Sequence, residues 1–230
     1  IISSHSEVQS AGELSSFSIE MMRMIDEKGS RKPVNRLELA KLATELPLAD
    51  LGARYLEVVE PIRDGTLHFV DKLPLNSLNI GLIFGALPNA KVIHVVREPM
   101  DACYAMYKQL FADAYLYSYD QEELARHYVR YASLMETWRE RFPGRFLDVS
   151  YEDLVTDSEE TLRTVFEHVG LSWQRQCLDF HEDKSAVTTA SAAQVRERPH
   201  QRSIGRWKRY EEQLQPMHDV LAESGLSLLC

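Results

Sequence analysis

The sequence predicts an α/β fold in which a parallel sheet is flanked by helices. Three observations predict it. Short runs rich in β-branched residues alternate with helical periodicities along the chain. Each such run is followed directly by a helix start, the arrangement of strand and crossover helix that parallel sheets require. The chain has 230 residues and is 44% hydrophobic, enough to bury the two-sided core that such a sheet needs.

Taken in order, Glu13–Lys28, Val34–Glu45 and Leu48–Val59 carry helical spacing of apolar residues. The first strand expected is Thr66–Val70, because the first 60 residues hold no convincing strand pattern. An apolar helix follows near Asn76–Ala86. The second strand is Lys91–Val96, with the β-branched run KVIHVV. A helix then opens at Pro99, a residue favoured at the first helical position. Gln121–Arg141 is a long amphipathic helix with Leu124, Tyr128, Tyr131, Leu134, Met135 and Trp138 on one face, ended by Pro143-Gly144. The third strand is Arg145–Val149. Asp157 or Ser158 caps a helix that reaches His168 and stops at Gly170. Ser185–Arg202 is polar and irregular, and Glu211–Glu223 forms the last helix. The whole of 1–230 is expected to be one domain, with a further strand expected upstream to complete the sheet.

Composition narrows the function. No apolar run approaches the roughly 20 residues that span a bilayer, so no membrane partner is expected. The net charge of −9 disfavours a nucleic-acid binder. Three cysteines, Cys103, Cys177 and Cys230, are scattered without metal-ligand spacing, and read as reduced thiols of a cytoplasmic protein. No cluster suggests a metal. Of the eight histidines, His5 and His94 stand in suggestive places, but His94 reads as a packed strand residue and neither is assigned chemistry. The charge is uneven, however. Arg196, Arg198, Arg202, Arg206, Lys208 and Arg209 stand against Glu197 alone, a local cationic segment suited to one anionic ligand.

In open parallel sheets ligands bind beyond the carboxyl ends of the strands. The expected strands end in Asp71-Lys72-Leu73-Pro74, Arg97-Glu98-Pro99 and Ser150-Tyr151-Glu152-Asp153. Two deliver a cation and the third a tyrosine, each beside a helix start whose free N–H groups favour anions. Alone, each is an ordinary surface charge or core aromatic. Together with the Arg196–Arg209 segment they are expected to converge on a nucleotide phosphate, with arginine making bidentate contacts and tyrosine packing on a base.

HSEVQSAGEL (5–14), FVDKLPLN (69–76), AKVIHVVREPMDACYAMYKQLF (90–111), VSYEDLV (149–155) and TASAAQVRERPHQRSIGRWKRYE (189–211) carry a resemblance across essentially all 230 residues. In these segments the chain resembles the sulfotransferases that use 3′-phosphoadenosine 5′-phosphosulfate (PAPS). It is similar in particular to the bacterial group fused to tetratricopeptide repeats, and more distantly to the tyrosylprotein sulfotransferases. The resemblance implies a sheet like that of the P-loop nucleotide enzymes. The first strand and the PRSGT-type phosphate loop are then missing, since the sequence starts at Ile1-Ile2-Ser3-Ser4-His5 and no other segment supplies such a loop.

The resemblance also implies roles. Arg97 holds the 3′-phosphate of the nucleotide, Tyr151 lies near the adenine, and Arg206 reaches the 3′-phosphate. Ser191, Gln194, Val195 and Arg196 form the loop that closes over the nucleotide. Glu13 is the base, Lys72 stabilises the transferring sulfuryl group, and Ser191 adds a hydrogen bond there. Many relatives carry a serine eight residues after the arginine; here that position is Ala105. The partners implied are PAPS, with 3′,5′-adenosine bisphosphate (PAP) as product, and a hydroxyl or amine acceptor, with tetratricopeptide repeats upstream. Two rival readings are a nucleotide-dependent kinase, which needs a Walker loop, and a non-catalytic nucleotide-binding or interaction module.

Overall fold

The computed structural model describes residues 1–29, 33, 35–182 and 197–225. Among the described residues there are four strands, arranged as two parallel two-stranded pairs, and the chain divides into two compact units. One contains residues 1–90 and the segment beginning at Gln174. The other contains Lys91–Trp173 and the described C-terminal residues.

The first unit corrects the expectation of no strand before residue 60. Val8–Gly12 is strand β1, and the first helix, α1, starts at Ser16 rather than Glu13 and runs to Glu27. Within VQSAG only Val8 is buried, so no apolar alternation marks the strand. Its order comes from a distant partner. After α2 (Arg36–Thr44) and α3 (Leu48–Val59), strand β2 (His68–Asp71) pairs with β1 in parallel, Val8 opposite His68 and Gly12 opposite Asp71. A register shift falls between Ser10 and Gly12, and Gly12 adopts φ +78°, a conformation costly for any residue with a Cβ. The helix expected over Asn76–Ala86 is shorter. A 3-10 turn, Pro74–Leu78, precedes α4 (Ile80–Ala86).

The core of this unit follows from helical spacing. Phe17, Met21, Met24 and Ile25 of α1 meet Leu51, Tyr55 and Val59 of α3, with Ala43, Leu46 and Ala86 around them. α3 and α4 approach closely at Gly52. A Cβ there would overlap the carbonyl oxygen of Ala86 and lie 2.9 Å from its carbon. Gly52→Ala is therefore expected to destabilise the protein by about 2 kcal/mol or more, because backbone rather than a movable side chain must give way. A urea midpoint unchanged by the substitution would contradict this packing.

In the second unit β3 (Val92–Val96) and β4 (Phe146–Ser150) pair in parallel without a shift, Val92 opposite Phe146 and Val96 opposite Ser150. α5 (Pro99–Tyr107) follows β3 and is capped by the side chain of Glu98, which accepts from the amides of Met100 (3.0 Å) and Asp101 (2.7 Å). α6 (Gln121–Arg141) is capped by Asp120 in the same way. β4 leads into α7 (Tyr151–Thr156), and α8 (Ser158–Val169) is capped by Asp157 and ended by Gly170. The last helix, α9, spans Gln215–Glu223 rather than starting at Glu211, with Pro216 in its first turn. Met100, Cys103 and Tyr104 of α5 pack with Leu124 and Ala125 of α6, and with Leu214, Met217 and Leu221. Cys103 and Cys177 are buried free thiols, and Cys230 lies outside the described residues.

His94 and Asp148 are register partners across β3 and β4, joined from Nδ1 to Oδ1 at 2.7 Å. Arg139 of α6 donates to both oxygens of Asp148, and Tyr131 of α6 meets the other nitrogen of His94. Burial pushes His94 below its ordinary value of 6.5, partly offset by Asp148. His168 is lowered too, by burial and then by Lys91. A histidine with a depressed folded pKa binds fewer protons folded than unfolded. Its contribution is full above pH of about 6.5 and is lost as pH falls through the folded value. The melting temperature is expected to decline as pH drops below about 6.5, and His94→Gln to flatten that decline. An equally steep decline in the variant would contradict the assignment.

Candidate active site

Parallel pairing sets the geometry of the first unit's polar residues. Because Gly12 stands opposite Asp71, the next residue on each strand, Glu13 and Lys72, emerges at the same end of the pair. The Lys72 amide donates to the Gly12 carbonyl at 2.9 Å. Asp71 fastens the turn. Its Oδ1 accepts from the Leu14 amide at 3.2 Å, and its Oδ2 accepts from the Tyr55 hydroxyl at 2.9 Å. Burial, and then the charge of Asp71, pushes the Tyr55 phenol well above its ordinary value, so it remains a donor. The side chains of Glu13 and Lys72 form an ion pair and are 39% and 62% exposed. Such an exposed pair contributes little stability, so an incoming ligand separates it at small cost.

In the second unit Arg97 leaves β3 with its guanidinium 4.7 Å over the Tyr151 ring at the head of α7. Tyr151 therefore meets the arginine face, a contact that fixes the fork. Nη2 of Arg97 donates to the Ser203 carbonyl at 2.7 Å, while its buried Nε has no partner among the described residues. The Glu98 amide donates to Glu152 at 3.1 Å, tying the ends of β3 and β4 together. Arg206 opens its 3-10 turn just after Gly205 and is exposed, with no ion pair among the described residues. Elsewhere in the cationic segment Glu197 pairs with Arg202 and lies 3.5 Å from His200.

Sequence reasoning missed Asp101 and Lys108. Asp101 is 1% exposed, and its carboxylate accepts from the amides of Gly205 and Trp207. Lys108, the residue that ends α5, stands 4.1 Å over the ring of Tyr104. The amides that Asp101 holds, and Gly205, against which the Lys108 stem lies, are about a hundred residues away in sequence, so no local pattern announces these contacts. Ser191, Gln194, Val195 and Arg196 lie outside the described residues.

In each unit a parallel pair of strands is followed at its carboxyl ends by helices, with Lys72 after β2 in the first and Arg97 and Tyr151 after β3 and β4 in the second, which defines an α/β protein. The family model described as Sulfotransferase family matches residues 1–175, and the chain belongs to that family. It is 32% identical over 229 residues to an uncharacterized protein of Aquifex aeolicus, covering 97% of this chain and 30% of that protein. It is also 32% identical over 108 residues to the omega-hydroxy-beta-dihydromenaquinone-9 sulfotransferase of Mycobacterium bovis, covering 44% of this chain and 28% of that enzyme. The chain thus spans under a third of the length of these relatives.

Among solved structures, it is similar to the sulfotransferase domain of the curacin biosynthetic pathway, with TM-score 0.56, 14% identity and coverage of 93% of this chain and 90% of that one. The sulfotransferase domain of the Synechococcus olefin synthase gives TM-score 0.58, 17% identity and coverage of 90% and 80%. These likenesses are of fold. Among the described residues no helix is long and apolar enough to cross a membrane.

Proposed function

We propose that the protein transfers the sulfuryl group of PAPS to a hydroxyl acceptor, and that two sets of residues divide the work. Family membership supports the transfer, and the arrangement of cations at the strand ends supports the donor. The observation that carries the reading is Arg97, held by Tyr151 and the Ser203 carbonyl with its buried Nε unpartnered. A buried guanidinium N–H without an acceptor fits a site completed by an anion, here the 3′-phosphate of the nucleotide. Arg206 adds a second cation to that phosphate, and Tyr151, which stacks on Arg97, borders the adenosine. Ser191, Gln194, Val195 and Arg196 close over the nucleotide in this reading.

Glu13 and Lys72 carry the chemistry. Glu13 accepts the proton of the acceptor hydroxyl as its oxygen bonds to sulfur. The bond from sulfur to the bridging phosphate oxygen breaks, and PAP leaves with that electron pair. Lys72 offsets charge on the sulfuryl oxygens and the departing phosphate, and Ser191 donates a further hydrogen bond. Their ion pair in the free protein keeps base and cation side by side, and its exposure lets substrate part them.

The test supplies sulfur-labelled PAPS with phenolic, carbohydrate and lipid hydroxyls. Label is expected on an acceptor, with one PAP released per transfer. Labelled phosphate moving from ATP to an acceptor would instead favour a kinase, and PAP binding with no transfer to any acceptor would favour a non-catalytic module.

A further inference from the structure

We propose that Lys108 is a third cation of the Arg97–Arg206 phosphate site and sets its preference for a nucleotide bearing a 3′-phosphate dianion. This rests on the nucleotide reading above and adds to it a residue that neither motif nor spacing marks. The Lys108 stem lies across the backbone just before Arg206: a Cβ on Gly205 would stand 3.7 Å from Cδ and 3.8 Å from Cε of Lys108. Its ammonium sits 4.1 Å over the ring of Tyr104, which packs at 5.4 Å against Tyr210, the residue that closes the Arg206 turn. Asp101, on the same helix, holds the Gly205 and Trp207 amides, and Arg97 holds the Ser203 carbonyl. β3 and α5 thus grip residues 203–210 at several points and bring Arg97, Lys108 and Arg206 to one stretch of chain.

Charge bookkeeping points to the ligand. None of these three cations has a carboxylate ion pair among the described residues. The carboxylate beside them, Asp101, is engaged by backbone amides. Partial desolvation lowers the Lys108 pKa although the side chain is largely exposed, the charges of Arg206 and Arg97 lower it further, and Asp101 offsets only part of this. An amine placed among like charges over an aromatic face suits a phosphomonoester, which carries close to two negative charges at neutral pH and has three acceptor oxygens.

Calorimetric titration of PAP and of adenosine 5′-monophosphate separates the claims. Lys108→Met is expected to weaken PAP binding about tenfold or more, the loss of one charge-assisted contact, and to leave the 5′-monophosphate unaffected. Lys108→Arg keeps most of the affinity. Lys108 is exposed, so both variants are expected to retain the wild-type melting temperature, read by circular dichroism alongside. If Lys108→Met binds PAP as wild type does while Arg97→Met loses PAP, the Lys108 assignment is overturned and the nucleotide reading stands. If the wild-type chain does not prefer PAP over the monophosphate, or Arg97→Met leaves that preference intact, the nucleotide reading fails and takes Lys108 with it.

Discussion

Replacing Lys72 by methionine is expected to slow sulfuryl transfer from PAPS by about 100-fold or more, with PAP affinity changed much less. The expectation follows from where charge develops. In the ground state the sulfuryl and phosphate oxygens are anionic but solvated. As the bond to phosphate breaks, charge moves onto the bridging oxygen, and a cation fixed there is worth roughly 3–4 kcal/mol. The backbone that carries Lys72 is fixed. Its amide is tied to Gly12, and the residue before it is held by Tyr55 and the Leu14 amide. Methionine keeps the length of the stem and removes only the charge. Glu13→Gln should cost a comparable factor, about 100-fold, through loss of the base. Steady-state and single-turnover rates check both, and a rate near wild type in either variant removes that residue from the mechanism.

The second large effect is on stability. Asp101→Ala is expected to cost about 3 kcal/mol and to loosen residues 203–207. Asp101 is 1% exposed and accepts from two backbone amides. Removing it leaves two part-buried N–H groups without their acceptor, at roughly 1–3 kcal/mol each. Because the same carboxylate holds the turn that carries Arg206, PAP affinity should fall with it. A denaturation midpoint within error of wild type would contradict the buried contacts.

How much of this was legible in the sequence depends on how local each signal is. β3 and β4 are marked by β-branched residues, and α6 by apolar spacing over many turns, so both were expected at nearly the observed bounds. The start of α5 was legible from Pro99, a residue favoured at the first helical position. β1 was not, because VQSAG buries one residue and owes its order to β2 some sixty residues away. The expected single sheet of three strands appears among the described residues as two parallel pairs. At the candidate site the residues that follow strands, Lys72, Arg97 and Tyr151, could be picked by position alone. That Glu13 would stand beside Lys72 depends on the register of β1, and that Asp101 and Lys108 would meet Gly205 depends on contacts across about a hundred residues. Such nonlocal pairings leave no trace in a single sequence.

Backbone hydrogen exchange with and without PAP reports directly on the proposed nucleotide site. Slower exchange is expected at 97–108 and 203–210 in the presence of PAP, the segments proposed to hold the 3′-phosphate, with less protection there from adenosine 5′-monophosphate. Saturating PAP that binds but leaves both segments exchanging as in the free protein would contradict it.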